Sequence, residues 1–278
     1  MRRGSGHEQR GRVRARAATI QAARAGARRG ARFAGVDMLR GVAIAMMIAY
    51  HFCYDLAHFG LVPWVPDDML AESGWIAWRT VIVVSFLALV GFSRALSLAF
   101  KPSASDFWKR WAQIAGAAVL VSLASRWFAG ERWIYFGILH FIAVAILLCR
   151  LWLLRVQSAP VTAAVGLALI VAGLSFSSPA LDALPLNVLG FAAHKPHTDD
   201  YVPLVPWMGV VLIGLAGGLL WKARDFEPPA ALERLRAAVP AALQAALAGA
   251  GRWSLTIYLV HQPILIGALS AVVALRGR

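Results

Sequence analysis

Five ionisable residues, Asp37, Arg40, His51, Asp55 and His58, fall on one face of an otherwise apolar stretch. At about 100° per residue, Arg40 and His51 are eleven positions apart and lie within about 20° of each other around a helix axis. Asp55 and His58 continue that face at i+4 and i+7 from His51, and Asp37 precedes Arg40 by one turn. The outcome is a polar seam about 30 Å long by helical rise, filled in between by residues such as Ile44 and Met47. A histidine followed within one turn by a carboxylate suits general-base chemistry, because the carboxylate orients the ring and raises its basicity. His51 is therefore the candidate base, Asp55 its candidate orienting partner and His58 a second candidate catalytic histidine. For Asp37 and Arg40 a plainer role competes, that of interfacial residues pairing or snorkelling at a helix end.

Other polar groups are scattered through apolar segments. His140 is expected about two turns into a fourth helix. His261, followed by Gln262 and Pro263, is expected near mid-depth in the last one. Pro263 removes a backbone donor and frees a carbonyl beside His261. The run 199–207, Asp-Asp-Tyr-Val-Pro-Leu-Val-Pro-Trp, makes a stiff entry into another helix. Its Tyr201 and Trp207 read either as interfacial belt aromatics or as substrate-lining residues. The Asp199–Asp200 pair, with His194 and His197 just before it, offers a place for an amine. The His194-x-x-His197 spacing resembles a metal pair, but its loop is too irregular to make a site, and no metal is expected. The chain has no phosphate-binding Gly-rich loop, nucleophile elbow or zinc-helix motif. Acid–base chemistry on small polar clusters, or transport, is what remains.

The elements that must position these groups are membrane helices. Of the 278 residues, 59% are hydrophobic and 15% charged, with a mean hydropathy of +0.63; a soluble domain carries about 25% charged residues. The net charge of +14 is concentrated, with ten arginines in residues 1–32 against one acid, Glu8. Residues 1–34 thus read as a basic, disordered cytoplasmic arm drawn to anionic lipid rather than to nucleic acid. Charge-free stretches predict seven spans, at about 36–57, 75–98, 107–127, 133–153, 160–179, 203–221 and 253–275, within a domain covering 35–278. The stretch 228–250 reads as an amphipathic surface helix, with an eighth, weakly apolar span as the alternative. Placing the N-terminus inside puts Lys101, Lys109, Arg110, Arg150, Arg155, Lys222, Arg224, Arg234, Arg236 and Arg252 in the cytoplasm, and most loop acids outside. An all-α, polytopic transmembrane bundle, N-in and C-out, is the expected architecture. Cys53 and Cys149 fall near opposite membrane faces, too far apart for a disulfide. No cleaved signal peptide is expected, since the first apolar segment starts late and lacks a small-residue cleavage site.

Three runs carry a family resemblance. Val36-Asp37-Met38-Leu39-Arg40-Gly41-Val42-Ala43-Ile44, with His51-Phe52 and Tyr54-Asp55-Leu56, resembles the opening of the bacterial heparan-alpha-glucosaminide N-acetyltransferase catalytic-domain family. Tyr201-Val202-Pro203-Leu204-Val205-Pro206-Trp207 resembles its Pro-Leu-x-Pro-Trp element, and the run from Gly251 to Pro263 resembles its last helix. The opening and closing runs are also similar to the wider group of membrane acyltransferases. The resemblance implies an acetyl group moved from cytoplasmic acetyl-CoA, a co-substrate, to an amine or hydroxyl of a sugar or cell-envelope glycan across a bacterial inner membrane. Asp37, Arg40 and Gly41 match the D-x-x-R-G opening and would meet the CoA, while Tyr201, Trp207, His261 and Gln262 would line the acceptor side. His51 aligns with an asparagine of the animal lysosomal enzymes. Their catalytic histidine falls eleven residues later, where this chain has Val62, which shifts the base to His51 or His58. The rival readings are a proton-coupled transporter or channel using the same seam, and a structural protein whose tail binds lipid or partners. Membrane lipid is a partner in each case, no nucleic acid is expected, and the sequence leaves homo-oligomerisation open.

Overall fold

The computed structural model describes residues 34–63, 65, 69, 71–100, 103–227 and 230–276. The arginine-rich arm lies outside them except for Ala34. Helices occupy all seven expected positions, and no strand occurs among the described residues. They are α1 (Ala34–His58), α2 (Ser73–Phe100), α3 (Ala104–Phe128), α4 (Ile138–Arg155), α5 (Ala159–Ser175) and α6 (Leu204–Ala223). Two short helices, α7 (Ala230–Ala237) and α8 (Ala241–Arg252), precede the last, α9 (Ser254–Arg276).

Five of these, α1, α2, α4, α6 and α9, are long and apolar enough to cross a membrane. The other two expected spans are helical but fall short by that measure. The apolar helix α5 has 17 residues, and α3 carries Asp106, Lys109 and Arg110 in its first two turns and Arg126 in its last. The stretch 228–250 does not form one helix. Pro240 lacks the N–H that would continue α7, so α7 and α8 meet there and neither has the length of a span.

Local chemistry explains the boundaries that differ from expectation. The fourth helix starts at Ile138 rather than 133, because Gly130–Arg132 form a short 3-10 turn and the chain then runs extended to Gly137. Asp200 Oδ2 accepts a 2.8 Å hydrogen bond from the Ile138 N–H, satisfying one of the donors left open at the start of α4. His140 consequently sits in the first turn of α4, not two turns in. Its ring accepts from the Gly137 N–H at 3.3 Å and meets Ser122 Oγ at 3.0 Å. The fifth helix ends at Ser175, and the extended Ser178 bridges to Ala192.

The main core lies where α2, α4 and α6 meet, around Leu87, Phe141, Ala145, Cys149, Val211 and Leu215. Glycines let these helices touch backbone to backbone: a Cβ on Gly91 would stand 1.8 Å from the Val211 carbonyl oxygen, and one on Gly214 would stand 2.1 Å from that of Ala88. A second core joins α1 to α2 through Ile44, Met47, Tyr50 and Ile82. Ile44 and Met47, expected to fill the seam, are 2% and 4% exposed. Cys53 and Cys149 are both free.

Candidate active site

The polar seam of α1 is met by different partners along its length. Near its start, Arg40 Nη1 donates to Asp37 Oδ1 at 2.8 Å, and Arg40 Nη2 donates to Ser93 Oγ of α2 at 2.6 Å. Ser93 in turn donates to the Leu89 carbonyl at 2.5 Å. Gly41 lies against the backbone of α8, where a Cβ would stand 2.0 Å from the Leu247 carbonyl oxygen. Gly251 returns the contact, with its Cβ position 1.8 Å from that of Asp37. Asp37, Arg40 and Gly41 therefore form the joint between α1, α2 and α8, a steric part that charge patterning did not reveal.

Further along, His51 Nδ1 lies 2.8 Å from His261 Nε2 of α9, and the two ring centroids are 4.9 Å apart. His261, 8% exposed, places its other nitrogen 2.8 Å from the Tyr258 carbonyl oxygen. One turn beyond His51, Asp55 is 2% exposed and accepts a 2.8 Å bond on Oδ1 from Gln262 Nε2. The sequence placed Asp55 behind His51. The fold instead gives His51 a histidine partner 210 positions away and gives Asp55 the glutamine next to that histidine. Two adjacent residues of α9 thus bind two residues one turn apart on α1. Asp55 Oδ2 and Gln262 Oε1 are buried without a partner among the described residues. His58 is exposed at the last residue of α1, its ring parallel to that of Tyr54 with the centroids 6.5 Å apart.

The carbonyl contact of His261 sets the proton positions in the pair. A backbone carbonyl only accepts, so His261 Nδ1 carries the proton it donates to Tyr258. In neutral His261, Nε2 is then the acceptor, and His51 Nδ1–H is the donor to it. Neutral His51 is left with its lone pair on Nε2, the nitrogen with no hydrogen-bond partner among the described residues. The pair behaves as a directed chain ending in an available base.

The remaining expected site residues have other partners. The Tyr201 hydroxyl donates to the Asn187 carbonyl at 2.6 Å, and Asn187 Nδ2 donates to the Tyr135 hydroxyl at 3.0 Å. Burial pushes the Tyr201 hydroxyl up to about 12, with the neighbouring Tyr135 and Asp182 adding to the shift. Trp207 packs against the main core; neither it nor Tyr201 is hydrogen-bonded to His51 or His261. Asp199 faces Arg132 at 3.4 Å and Asp200 holds α4, so the acid pair is not a free amine cradle. Burial nevertheless raises the Asp200 carboxyl above the ordinary aspartate range. His194 is bound to Asp182 at 2.8 Å rather than paired with His197. Among the described residues no group of three or more His, Cys, Asp or Glu is arranged to hold a metal ion.

Sequence reasoning missed Ser93 and the Tyr258 carbonyl. Ser93 carried one usable signal, as a hydroxyl just before Arg94, where a charge-free run ends; the carbonyl carried none. In comparisons with known proteins, residues 32–263 match the family described as heparan-alpha-glucosaminide N-acetyltransferase, catalytic. No curated protein and no solved structure matches. With most of its length inside that match and five helices able to cross a membrane, the chain belongs to the heparan-alpha-glucosaminide N-acetyltransferase catalytic family and is a multi-pass membrane acetyltransferase.

Proposed function

We propose that this protein takes an acetyl group from acetyl-CoA at the cytoplasmic, Arg40 end of the bundle and delivers it to an amine or hydroxyl of a sugar or envelope glycan at the outer face of the bacterial inner membrane. The observation that carries this reading is the His51–His261 chain, a base with a defined free nitrogen inside an apolar bundle.

The acceptor O–H or N–H donates its proton to His51 Nε2 as its heteroatom attacks the thioester carbonyl. The tetrahedral intermediate then collapses, the C–S bond breaks, and His51 Nε2–H returns the proton to the departing thiolate. General-base transfer of this kind is worth about a hundredfold or more in rate. His51 Nδ1–H stays bonded to His261 throughout, which keeps the ring from rotating and stabilises the imidazolium when it forms. Asp55 acts through Gln262, locking α9 to α1 one turn from the pair. His58 is exposed beside Tyr54, so of the two histidines the burial favours His51. The acyl-histidine route is the alternative chemistry, and it would use the same Nε2 as nucleophile.

The test is acetyl transfer from labelled acetyl-CoA to a panel of amino sugars and glycans by the purified protein, with His51→Ala as comparison. Transfer lost in the variant, with folding intact, is the expected result. Full transfer by His51→Ala would overturn the assignment. Absence of any acetyl-CoA binding, together with solute-driven proton flux, would move the protein to the transporter reading.

A further inference from the structure

At the Arg40 end, four helices carry arginines, and two of these share one aromatic ring. Arg94 of α2 and Arg150 of α4 both stand over the ring of Phe107 in α3, with guanidinium carbons 5.2 Å and 4.4 Å from its centroid. Phe107 is only 4% exposed, so the ring forms a floor and not a surface platform. One helical turn after Phe107, Arg110 comes within electrostatic reach of Arg40 of α1, as Arg94 does of Arg150. Arg40 reaches Ser93, the residue before Arg94, which closes the circuit between α1 and α2.

Two guanidiniums over one ring, with Arg40 and Arg110 as a second pair on the neighbouring helices, require counter-charge. The carboxylate present is Asp37, held by Arg40, while Asp106 is bonded by Ser103 at the start of α3. Among the described residues Arg94, Arg110 and Arg150 have no ion-pair partner. Their hydrogen bonds go to neutral groups, Arg94 to Ser97 Oγ at 3.1 Å and Arg110 to Gln113 Oε1 at 3.3 Å. Arg94 Nε is buried with no partner. Arg110 and Arg150 are exposed. The arrangement has one half-buried donor, Arg94, beside two exposed donors, Arg110 and Arg150. Basic residues that merely mark a membrane face do not need to stack from two helices onto the buried ring of a third.

We infer that Arg40, Arg94, Arg110 and Arg150 form a binding site for phosphate groups, with Arg94 at its base. Guanidinium forks match phosphate oxygens two at a time, and a diphosphate would span donors that come from separate helices. On the function proposed above, the ligand is the phosphorylated part of the acyl-CoA. An anionic lipid headgroup presents the same chemistry from the bilayer.

The experiment compares full-length wild type with Arg94→Gln and Arg150→Gln, and with Arg94→Lys, which keeps the charge but not the fork. The first arm measures binding of CoA and of pantetheine, which lacks the phosphates, to protein in phosphatidylcholine nanodiscs. The second arm counts phosphatidylglycerol retained by the same proteins. We expect CoA affinity to fall about tenfold per glutamine variant, with a smaller loss for Arg94→Lys and no change for pantetheine. Loss confined to phosphatidylglycerol retention would support the phosphate site and assign it to lipid. Unchanged CoA affinity and unchanged lipid retention in folded variants would overturn it. Wild type that binds no CoA would sink the proposed function, while the lipid arm would still judge the arginine site.

Discussion

The two halves of the α1 seam are built in opposite ways. Around Arg40, α1 meets α8 through backbone, with Gly41 against the Leu247 carbonyl and Gly251 against that of Asp37. Around His51 they meet through side-chain hydrogen bonds, His51 to His261 and Asp55 to Gln262. A backbone joint is rigid and tolerates no added atoms. A joint made of titratable side chains can take up and release a proton without moving the helices. On the proposed function, one half would hold geometry and ligand charge while the other would do the chemistry, and substitutions should separate the two.

The largest effect is expected at His51. His51→Ala should lower the turnover number about a hundredfold or more, with the KM for acetyl-CoA little changed. An equal change in both parameters would place His51 with the binding half. His261 sharpens the same point, as a positioning residue. His261→Leu removes the acceptor for His51 Nδ1–H, so the His51 proton is free to sit on either nitrogen. We expect about a tenfold loss of turnover, the value of one lost charge-assisted bond. Side-chain nitrogen NMR should show His51 Nε2 unprotonated in wild type and mixed in the variant. His261→Gln can still accept at its amide oxygen and should recover most of both signals. A His51 spectrum indifferent to His261 would break the chain argument.

At the other half the expected readout is stability. Gly41→Ala drives a Cβ into the Leu247 carbonyl and should cost about 1–3 kcal/mol, seen as a lower melting temperature in detergent. Turnover per folded molecule should be nearly unchanged, in contrast to His51→Ala. A variant as stable as wild type would mean that α8 is not held against α1 in the way described.

How far the sequence spoke for itself differs between these halves too. The seam, its residues and the helices were legible because apolar periodicity and gaps in charge are local properties, read along a window of one segment. His51 and His261 were both recognisable as costly intramembrane groups. Their pairing was not, because it depends on the rotation of α9 against α1, and nothing within either segment records that. Asp55 shows the hazard of judging partners by proximity in sequence. A carboxylate at i+4 looked like support for His51, yet Gln262, far along the chain, supplies its bond. The start of α4 was misplaced for a related reason: its cap, Asp200, comes 62 residues later. Gly41 matched a motif, but only the approach of Leu247 explains why a side chain is excluded there.

The smallest effect lies outside the bundle and tests whether the loop between α5 and α6 is held by charge. The Asp182 carboxylate accepts from the His194 ring at 2.8 Å and from the backbone N–H groups of His194 and Ala193 at 3.1 Å and 2.7 Å. These bonds, the His194 ring first among them, hold its carboxyl below the ordinary value of 3.8. A lowered folded-state value means the folded loop gains stability from ionised Asp182 at any pH above the ordinary value. That gain is lost as pH falls through the folded value, when the carboxylate is protonated and its acceptor strength drops. Hydrogen exchange at Ala193 and His194, corrected for intrinsic rates, should therefore be flat from neutrality to about pH 4 and should accelerate below it. Amides of α4 and α6 should not follow, since the side-chain hydrogen bonds of Asp182 go to Ala193 and His194 in the loop. If Asp182→Asn removed the acid acceleration while leaving turnover intact, the loop would be a structural strap independent of the histidine pair. If turnover fell in step with loop opening, the contrast between a rigid frame and a chemical centre would have to include a third, mobile part.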